Sequence, residues 1–304
     1  MSPEEIKEIQ TRFSITDEEF ENMYKQAELL TFTGVKPSSD RPTAILTGGQ
    51  PGAGKTGIIM KTKQEFKQNG ADIIVFDLDS YRPFYKDASV IASNYPELYA
   101  GITGKAAGKV MERLSEKAIR EGYSFVMEGT MGKSTYTLDM LQDMNADFNI
   151  VTRLMAVSRE ESLLSIFERY LEMRKSLGFG RLTTVDSHND KFDNFTNTAL
   201  GLEQRGVKVE IYERSNDPSN IGDVRKTYET FGANNVYRTV REALEKGRLD
   251  SRRKCLANAD KRLTSIRDEV REFSSDDGFN LEFQKLEEII KREIELEKKN
   301  DIEI

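Results

Sequence analysis

The stretch GGQPGAGKTG, residues 48–57, contains Gly49, four further residues, and then Gly54, Lys55 and Thr56. This is the pattern G-x-x-x-x-G-K-[ST], in which glycines let successive backbone N–H groups wrap a phosphate at the positive end of the following helix. The pattern predicts that Lys55 reaches the terminal phosphates of a nucleotide and that the Thr56 hydroxyl is a magnesium ligand. We expect the whole segment to bind the nucleotide, through Gly49, Gln50, Pro51, Gly52, Ala53, Gly54, Lys55 and Thr56.

The surroundings of this loop favour a phosphate site over a glycine-rich turn that binds nothing. The loop follows a predicted strand and opens a predicted helix, as phosphate binding requires. The five predicted strands are TAILTGG (43–49), ADIIVFD (71–77), YSFVMEG (123–129), FNIVTRLMAV (148–157) and VKVEIYER (207–214). Short apolar strands that alternate with helices predict an α/β fold, with a parallel sheet of about five strands covered by helices on both faces.

Helical segments flank this α/β region on both sides. Residues 3–30 are predicted to be helical, with a capping box formed by Thr16 and Glu19. After about residue 238 the strand pattern stops and only helical patterns follow. We therefore predict an N-terminal helical extension (1–40), an α/β domain (41–240) and a C-terminal helical region (241–304) that packs on its own domain.

Composition narrows the classes of partner. The chain of 304 residues is 37% hydrophobic and 32% charged, with a formal net charge of −7. Nucleic acid is not expected as the main partner, because a duplex-binding protein is usually basic. The sequence contains no run of 18 apolar residues, so no membrane span is predicted. The first ten residues, MSPEEIKEIQ, are polar and acidic and do not resemble a signal peptide. The single cysteine, Cys255, excludes an intrachain disulfide and fits a cytoplasmic location.

The absence of two sequence signatures narrows the class of phosphate-loop protein. A switch GTPase needs N-K-x-D, and a motor ATPase usually carries Asp-Glu at a strand end; the sequence has neither. Instead, Asp77, Asp79 and Glu128 stand where the second and third strands end. The carboxyl ends of parallel strands share one edge of a sheet, so these acids are expected near the terminal phosphate. A carboxylate at that position suits phosphoryl transfer to an alcohol.

Several of the candidate site residues could instead have a purely structural role. Asp79 could only cap the turn in DLDSYRP, where turn-forming residues are frequent. Arg169 and Arg181, after the fourth strand, could supply cations for the transferred group, yet an exposed helical arginine is normally a solvated charge. His188, the single histidine, is by itself most simply a polar surface residue.

Six ordered segments resemble the zeta-toxin family of bacterial UDP-N-acetylglucosamine kinases, over roughly residues 40–215. They are AILTGGQPGAGKT, DLDSYR, AGKVMERL, MEGT, ERYLEM and FGRLTTVDSHND. The resemblance implies a P-loop kinase-like fold that uses ATP and Mg²⁺. It implies that Asp79 is the catalytic base and that Lys55, Arg169 and Arg181 are catalytic cations. It places the substrate-binding residues at Asp79, Arg82, Glu112, Glu128, Thr130 and His188.

The same resemblance implies a substrate and a biological role. Members of the family phosphorylate the 3-hydroxyl of the amino sugar of UDP-N-acetylglucosamine, which drains a peptidoglycan precursor, and a small helical antitoxin often neutralises them. The family's Pro-Lys pair is missing from RLTTVDSH, so a related UDP-sugar stays open as the substrate. Two alternatives remain: a kinase of another hydroxylated small molecule, such as an antibiotic or a nucleoside, and a non-catalytic ATP-binding regulatory module.

Overall fold

The computed structural model describes residues 1–129, 147–178, 180, 182–215, 223–233, 235–272 and 277–302. The strands are β1 (Thr43–Gly48), β2 (Ile74–Phe76), β3 (Phe125–Glu128), β4 (Asn149–Met155), β5 (Lys208–Arg214) and β6 (Val224–Glu229). The helices before β4 are α1 (Pro3–Arg12), α2 (Asp17–Phe32), α3 (Lys55–Gln68), α4 (Leu78–Tyr81), α5 (Ala88–Asn94) and α6 (Pro96–Arg120). The helices after β4 are α7 (Arg159–Leu177), α8 (Val185–Gln204), α9 (Val240–Leu256), α10 (Ala259–Glu272) and α11 (Asp277–Ile302).

The strands form one six-stranded sheet in the order β2-β3-β1-β4-β5-β6. β2 pairs with β3 in parallel, β4 pairs with β5 in parallel, and β6 is antiparallel to β5. The α/β prediction is confirmed, but the expected count of about five strands omits β6. That strand has the sequence VRKTYE, in which Arg225 and Lys226 are exposed. A strand at the edge of a sheet needs no continuous apolar run, so its sequence does not stand out.

The chain divides into two compact units. One contains residues 1–45 and 63–128 together with a short segment that ends at Asn149. Its N-terminal helical segment is broken into α1 and α2, and the break ends at the predicted capping box. Glu19 N donates to the Thr16 hydroxyl, and Thr16 N donates to the Glu19 carboxylate. The Tyr85 hydroxyl donates to the carbonyl of buried Phe13 at 2.7 Å, so the α1–α2 segment is anchored within this unit.

The second unit contains residues 46–62 and the described residues from Ile150 onward. Its main apolar cluster joins α7 to the three C-terminal helices. The cluster includes Leu163, Leu164, Phe167, Leu171, Leu263, Ile266, Phe279, Phe283, Leu286 and Ile290. The ring of Phe279 stacks on Tyr170 with centroids 4.9 Å apart and meets Phe167 edge-on at 5.4 Å. The described C-terminal helices therefore pack against α7.

None of the helices in the described ranges is both long enough and apolar enough to cross a membrane. The domain boundaries predicted near residues 40 and 240 remain predictions.

Candidate active site

The phosphate loop connects β1 to α3, as the sequence pattern predicts. Gly52 and Gly54 lie in the left-handed region, with φ of 77° and 90°. A Cβ atom on Gly52 would stand 2.1 Å from the carbonyl oxygen of Ser162 in α7, which no side chain tolerates. Glycine is therefore required at Gly52 both for the backbone conformation and for the close approach to α7.

Lys55 is the first residue of α3, and its ammonium group lies against the loop. Its Nζ donates to Gly49 O at 2.9 Å and to Gln50 O at 3.4 Å, and the residue is 8% exposed. Thr56 follows it in the first turn of the helix and is exposed. A buried cation, an exposed hydroxyl and a helix N-terminus are thus gathered at one loop, which is the set of groups that recognises a phosphate.

A hydrogen-bond network behind the loop holds Gln50. The Gln50 side chain is fully buried, and its Nε2 donates to Val157 O at 2.9 Å and to Ser162 Oγ at 3.1 Å. Ser162 Oγ lies 2.8 Å from His188 Nε2, and His188 Nδ1 lies 3.2 Å from Asn189 Oδ1. An amide oxygen only accepts, so the neutral ring carries its proton on Nδ1. The Ser162 hydroxyl beside Nε2 also lies 2.8 Å from the carbonyl of Ser158, which accepts its proton. His188 thus supports the loop through Ser162.

The position of His188 differs from both interpretations made from sequence. Its ring has no exposed surface, so it neither faces a substrate nor lies on the protein surface. The pKa of His188 is lowered to about 4, mainly by burial, and the nearby cations Arg159 and Lys191 contribute in the same direction. The hydrogen bond to Asn189 opposes this effect but does not cancel it. The imidazole is therefore a neutral structural group at neutral pH.

Arg214, the last residue of β5, is a contact of the loop that sequence reasoning missed. Its Nη2 donates to Gly52 O at 2.5 Å and its Nε donates to Ala53 O at 3.3 Å. Glu161 of α7 forms an ion pair with its Nη1. A usable signal was present in the sequence, because an arginine that ends a strand of a parallel sheet lies at the edge where the phosphate loop lies.

A cavity of about 580 Å³ opens beside Arg214, at the carboxyl ends of β4 and β5. Glu213 and Arg214 of β5 line one side, and Ser251 and Lys254 of α9 line another. Its volume lies within the range of small-molecule sites. The sequence carried no sign of it, because its walls come from segments that are far apart in the chain.

The predicted catalytic base lies in the other unit, in the short helix α4 after β2. Asp77 caps this helix, since its Oδ1 accepts from Asp79 N at 3.0 Å and its Oδ2 accepts from Ser80 Oγ at 2.9 Å. The turn-capping role considered for Asp79 therefore belongs to Asp77. The Asp79 side chain is 55% exposed, and its Oδ1 accepts from Arg82 Nε at 2.7 Å.

Arg82 orients Asp79 from a buried position. Its Nη1 donates to Ala100 O and to Thr103 Oγ1 of α6, both at 2.8 Å. Because these two hydrogen bonds to α6 hold the guanidinium, it is placed to fix the carboxylate of Asp79. Of the other predicted substrate ligands, Glu112 is exposed on α6 and Glu128 is the half-buried last residue of β3.

The predicted lid arginines are described only in part. Arg169 lies on α7 and is exposed, whereas Leu163 and Phe167 of the same helix are buried. Arg181 and the predicted substrate ligand Thr130 lie outside the described residues.

Sequence comparisons relate this chain to known toxins. The model of the family described as Zeta toxin matches residues 26–222. The toxin PezT of Streptococcus pneumoniae is 30% identical over 203 residues, which cover 66% of this chain and 79% of that protein. The toxin zeta of Streptococcus pyogenes is 26% identical over 208 residues, which cover 66% of this chain and 70% of that protein.

Structural comparisons support the same fold. A solved structure from the PezAT chromosomal toxin-antitoxin system of Streptococcus pneumoniae has a TM-score of 0.69 and 24% identity, covering 84% of this chain and 98% of that one. A structure of AvrRxo1-ORF1 with AvrRxo1-ORF2 and ATP has a TM-score of 0.57 and 12% identity, covering 97% and 95%. At these identities the structures are evidence for the fold alone. Helices α9–α11 lie beyond the residues that the family model matches.

Proposed function

Because the chain belongs to the zeta toxin family, we propose that it is a P-loop kinase that transfers the terminal phosphate of ATP to a sugar hydroxyl. The acceptor is the 3-hydroxyl of the amino sugar of UDP-N-acetylglucosamine or of a related UDP-sugar. The observation that carries the kinase proposal is the phosphate loop, in which buried Lys55 lies against Gly49 O at the start of α3. A sugar kinase needs this cradle to hold the phosphates of its donor.

The donor site combines the loop with the neighbouring cavity. The loop holds the phosphates of ATP, and the cavity of about 580 Å³ beside Arg214 takes its base and ribose. The exposed Thr56 hydroxyl is a suitable magnesium ligand, because magnesium prefers oxygen ligands. Water molecules and phosphate oxygens usually supply most of its other ligands. Magnesium bound with the nucleotide neutralises charge on the phosphates.

The acceptor chemistry belongs to Asp79. Its carboxylate accepts the proton of the sugar hydroxyl as the oxygen attacks the terminal phosphorus and ADP leaves. Arg82 holds this carboxylate in one orientation, which favours a single productive geometry. Lys55, Arg169 and Arg181 stabilise the charge on the transferred group, and such an arginine can raise the rate by about a thousandfold or more. Glu112, Glu128 and Thr130 bind the sugar nucleotide.

Membership of the family supports a proposal for the biological role. A related solved structure comes from a toxin-antitoxin system, so the proposed partner is a small antitoxin protein. Phosphorylation of the sugar nucleotide in the cytoplasm would withdraw a precursor from peptidoglycan synthesis.

The substrate proposal is tested with labelled ATP and a panel of UDP-sugars, nucleosides and aminoglycosides. We expect phosphate on the sugar of UDP-N-acetylglucosamine or a relative, located by mass spectrometry, and no transfer by Lys55→Ala. Turnover of another acceptor, with all UDP-sugars inert, would replace the substrate while keeping the kinase. ATP binding without turnover of any acceptor in the panel would favour the regulatory module.

The role of Asp79 is tested by Asp79→Asn beside Asp77→Asn. We expect Asp79→Asn to lower turnover by roughly a hundredfold or more, the usual scale for a positioned base, with little change in ATP affinity. Asp77→Asn serves as the control, because asparagine caps the α4 turn nearly as well as aspartate. Near-wild-type turnover of Asp79→Asn would remove Asp79 from the chemistry.

A further inference from the structure

The C-terminal helices reach the phosphate loop through a chain of charged side chains. The chain begins at Arg262 of α10, whose Nη1 lies 2.5 Å from Glu161 Oε2 in α7. The other donors of Arg262 bind Glu168 of α7, with Nε and Nη2 each 2.7 Å from a carboxylate oxygen. This paired geometry fixes the guanidinium plane, so Arg262 holds Glu161 in one orientation.

The second oxygen of Glu161 continues the chain. Glu161 Oε1 pairs with Nη1 of Arg214, and Arg214 in turn donates to the carbonyls of Gly52 and Ala53. A carbonyl and the N–H of the following residue point in opposite directions across a trans peptide. Fixing the Ala53 carbonyl on one side of the loop therefore fixes the direction of the Gly54 N–H on the other.

The charges in this chain depend on one another. Partial burial lowers the pKa of Arg214, and Glu161 opposes that effect. Burial also disfavours the charged form of Arg262, but its hydrogen bonds to Glu168 and Glu161 raise its pKa above the ordinary value. Removing one member of such a set leaves its neighbours with fewer partners and more freedom to change rotamer.

We propose that Arg262 is a positioning residue for the nucleotide, which orders the phosphate loop through Glu161 and Arg214. The inference rests on the proposed ATP site and gives a function to α10, which lies beyond residues 26–222 that match the family. The C-terminal helical region is then part of the donor site of this kinase.

A matched pair of arginines makes the test specific. Arg252 of α9 also binds two glutamates, Glu293 at 2.9 Å and Glu297, and its side chain is 20% exposed. The Arg262 side chain is 22% exposed. Arg252→Gln and Arg262→Gln therefore remove similar ion pairs, but the contacts of Arg252 lead to α11 and not to the loop.

The measurement is calorimetric titration of each full-length variant with MgATP and with tripolyphosphate, at a temperature where thermal melting shows every variant folded. We expect Arg262→Gln to bind both ligands about tenfold more weakly than wild type, because mutations along a coupled network change binding by roughly twofold to thirtyfold. Arg252→Gln should bind as wild type does. Arg262→Lys should recover part of the loss, since lysine keeps the charge but cannot bond both glutamates as arginine does.

Equal affinities of Arg262→Gln and Arg252→Gln would overturn the proposal. So would a loss for MgATP but not for tripolyphosphate, because Arg262 also lines the cavity proposed for the base and ribose. If Arg262→Gln does not fold, Glu168→Gln compared with Glu293→Gln gives the same contrast, and equal affinities of that pair would overturn it too. Wild type and Lys55→Ala are titrated in the same series. Failure of wild type to bind MgATP would refute the proposed function itself, whereas normal binding with no effect at Arg262 would refute only the positioning role.

Discussion

Acid should destabilise this protein through its single histidine. His188 is fully buried, and its pKa is lowered from 6.5 to about 4. Between these values the unfolded chain binds a proton that the folded chain does not bind, so unfolding is favoured as the pH falls. Above pH 6.5 the histidine is mostly neutral in both states, and the free energy of unfolding is at its highest with respect to this group. The free energy of unfolding then decreases progressively as the pH falls toward 4.

The size of the effect follows from the two pKa values. Linkage over the interval from pH 7 to pH 5 gives a loss of about 2 kcal/mol in the free energy of unfolding. That is a large fraction of the stability of a typical domain. Arg159 and Lys191 lie close enough to disfavour the imidazolium, while Asn189 and Asp193 favour it, so the figure includes all four neighbours.

The assay is urea unfolding of wild type and His188→Gln in half-unit steps from pH 7 to pH 5. Glutamine can hydrogen-bond the Ser162 hydroxyl but does not titrate. Carboxylates that titrate in this range are present in both proteins, so the difference between the two curves isolates His188. A wild-type curve parallel to that of His188→Gln would refute the reasoning, as would a histidine NMR titration with a midpoint near 6.5.

Two further substitutions, each compared with a control substitution, test how the loop and α8 are held. Gly52→Ala should weaken MgATP binding at least tenfold and cost about 3 kcal/mol of stability, because its Cβ meets a backbone carbonyl. Gly70→Ala, also at positive φ but with no atom within 4 Å, should cost only about 1–2 kcal/mol; equal costs would contradict this account. Glu282→Ala should cost about 1–3 kcal/mol in urea unfolding, since Val185 N loses its 2.6 Å acceptor. The exposed Glu288→Ala should cost less than about 0.5 kcal/mol, and a cost as large as that of Glu282→Ala would exclude the Val185 contact as the cause.

Sequence patterns predicted the features that are set within a few residues of the chain. The strand, loop and helix around residues 48–57 follow from glycine and lysine spacing, and the structure has them in that order. The Thr16–Glu19 capping box is likewise local and was predicted correctly. By contrast, Asp77 and Asp79 lie two residues apart in the same turn, and the sequence did not distinguish which of them caps it.

The amino-acid sequence by itself therefore determined the α/β fold and the phosphate loop, because both depend on local conformation and on the period of apolar residues. Only the tertiary structure decided what holds the loop in place. Gln50 bonds Ser162, 112 positions away, and Arg214 bonds Gly52, 162 positions away. No local pattern encodes such contacts, since burial and hydrogen-bond partners at these positions arise only when distant segments pack together. For the same reason the buried His188 resembled a surface residue in the sequence, and Arg262 resembled one more charge in a polar C-terminal helix.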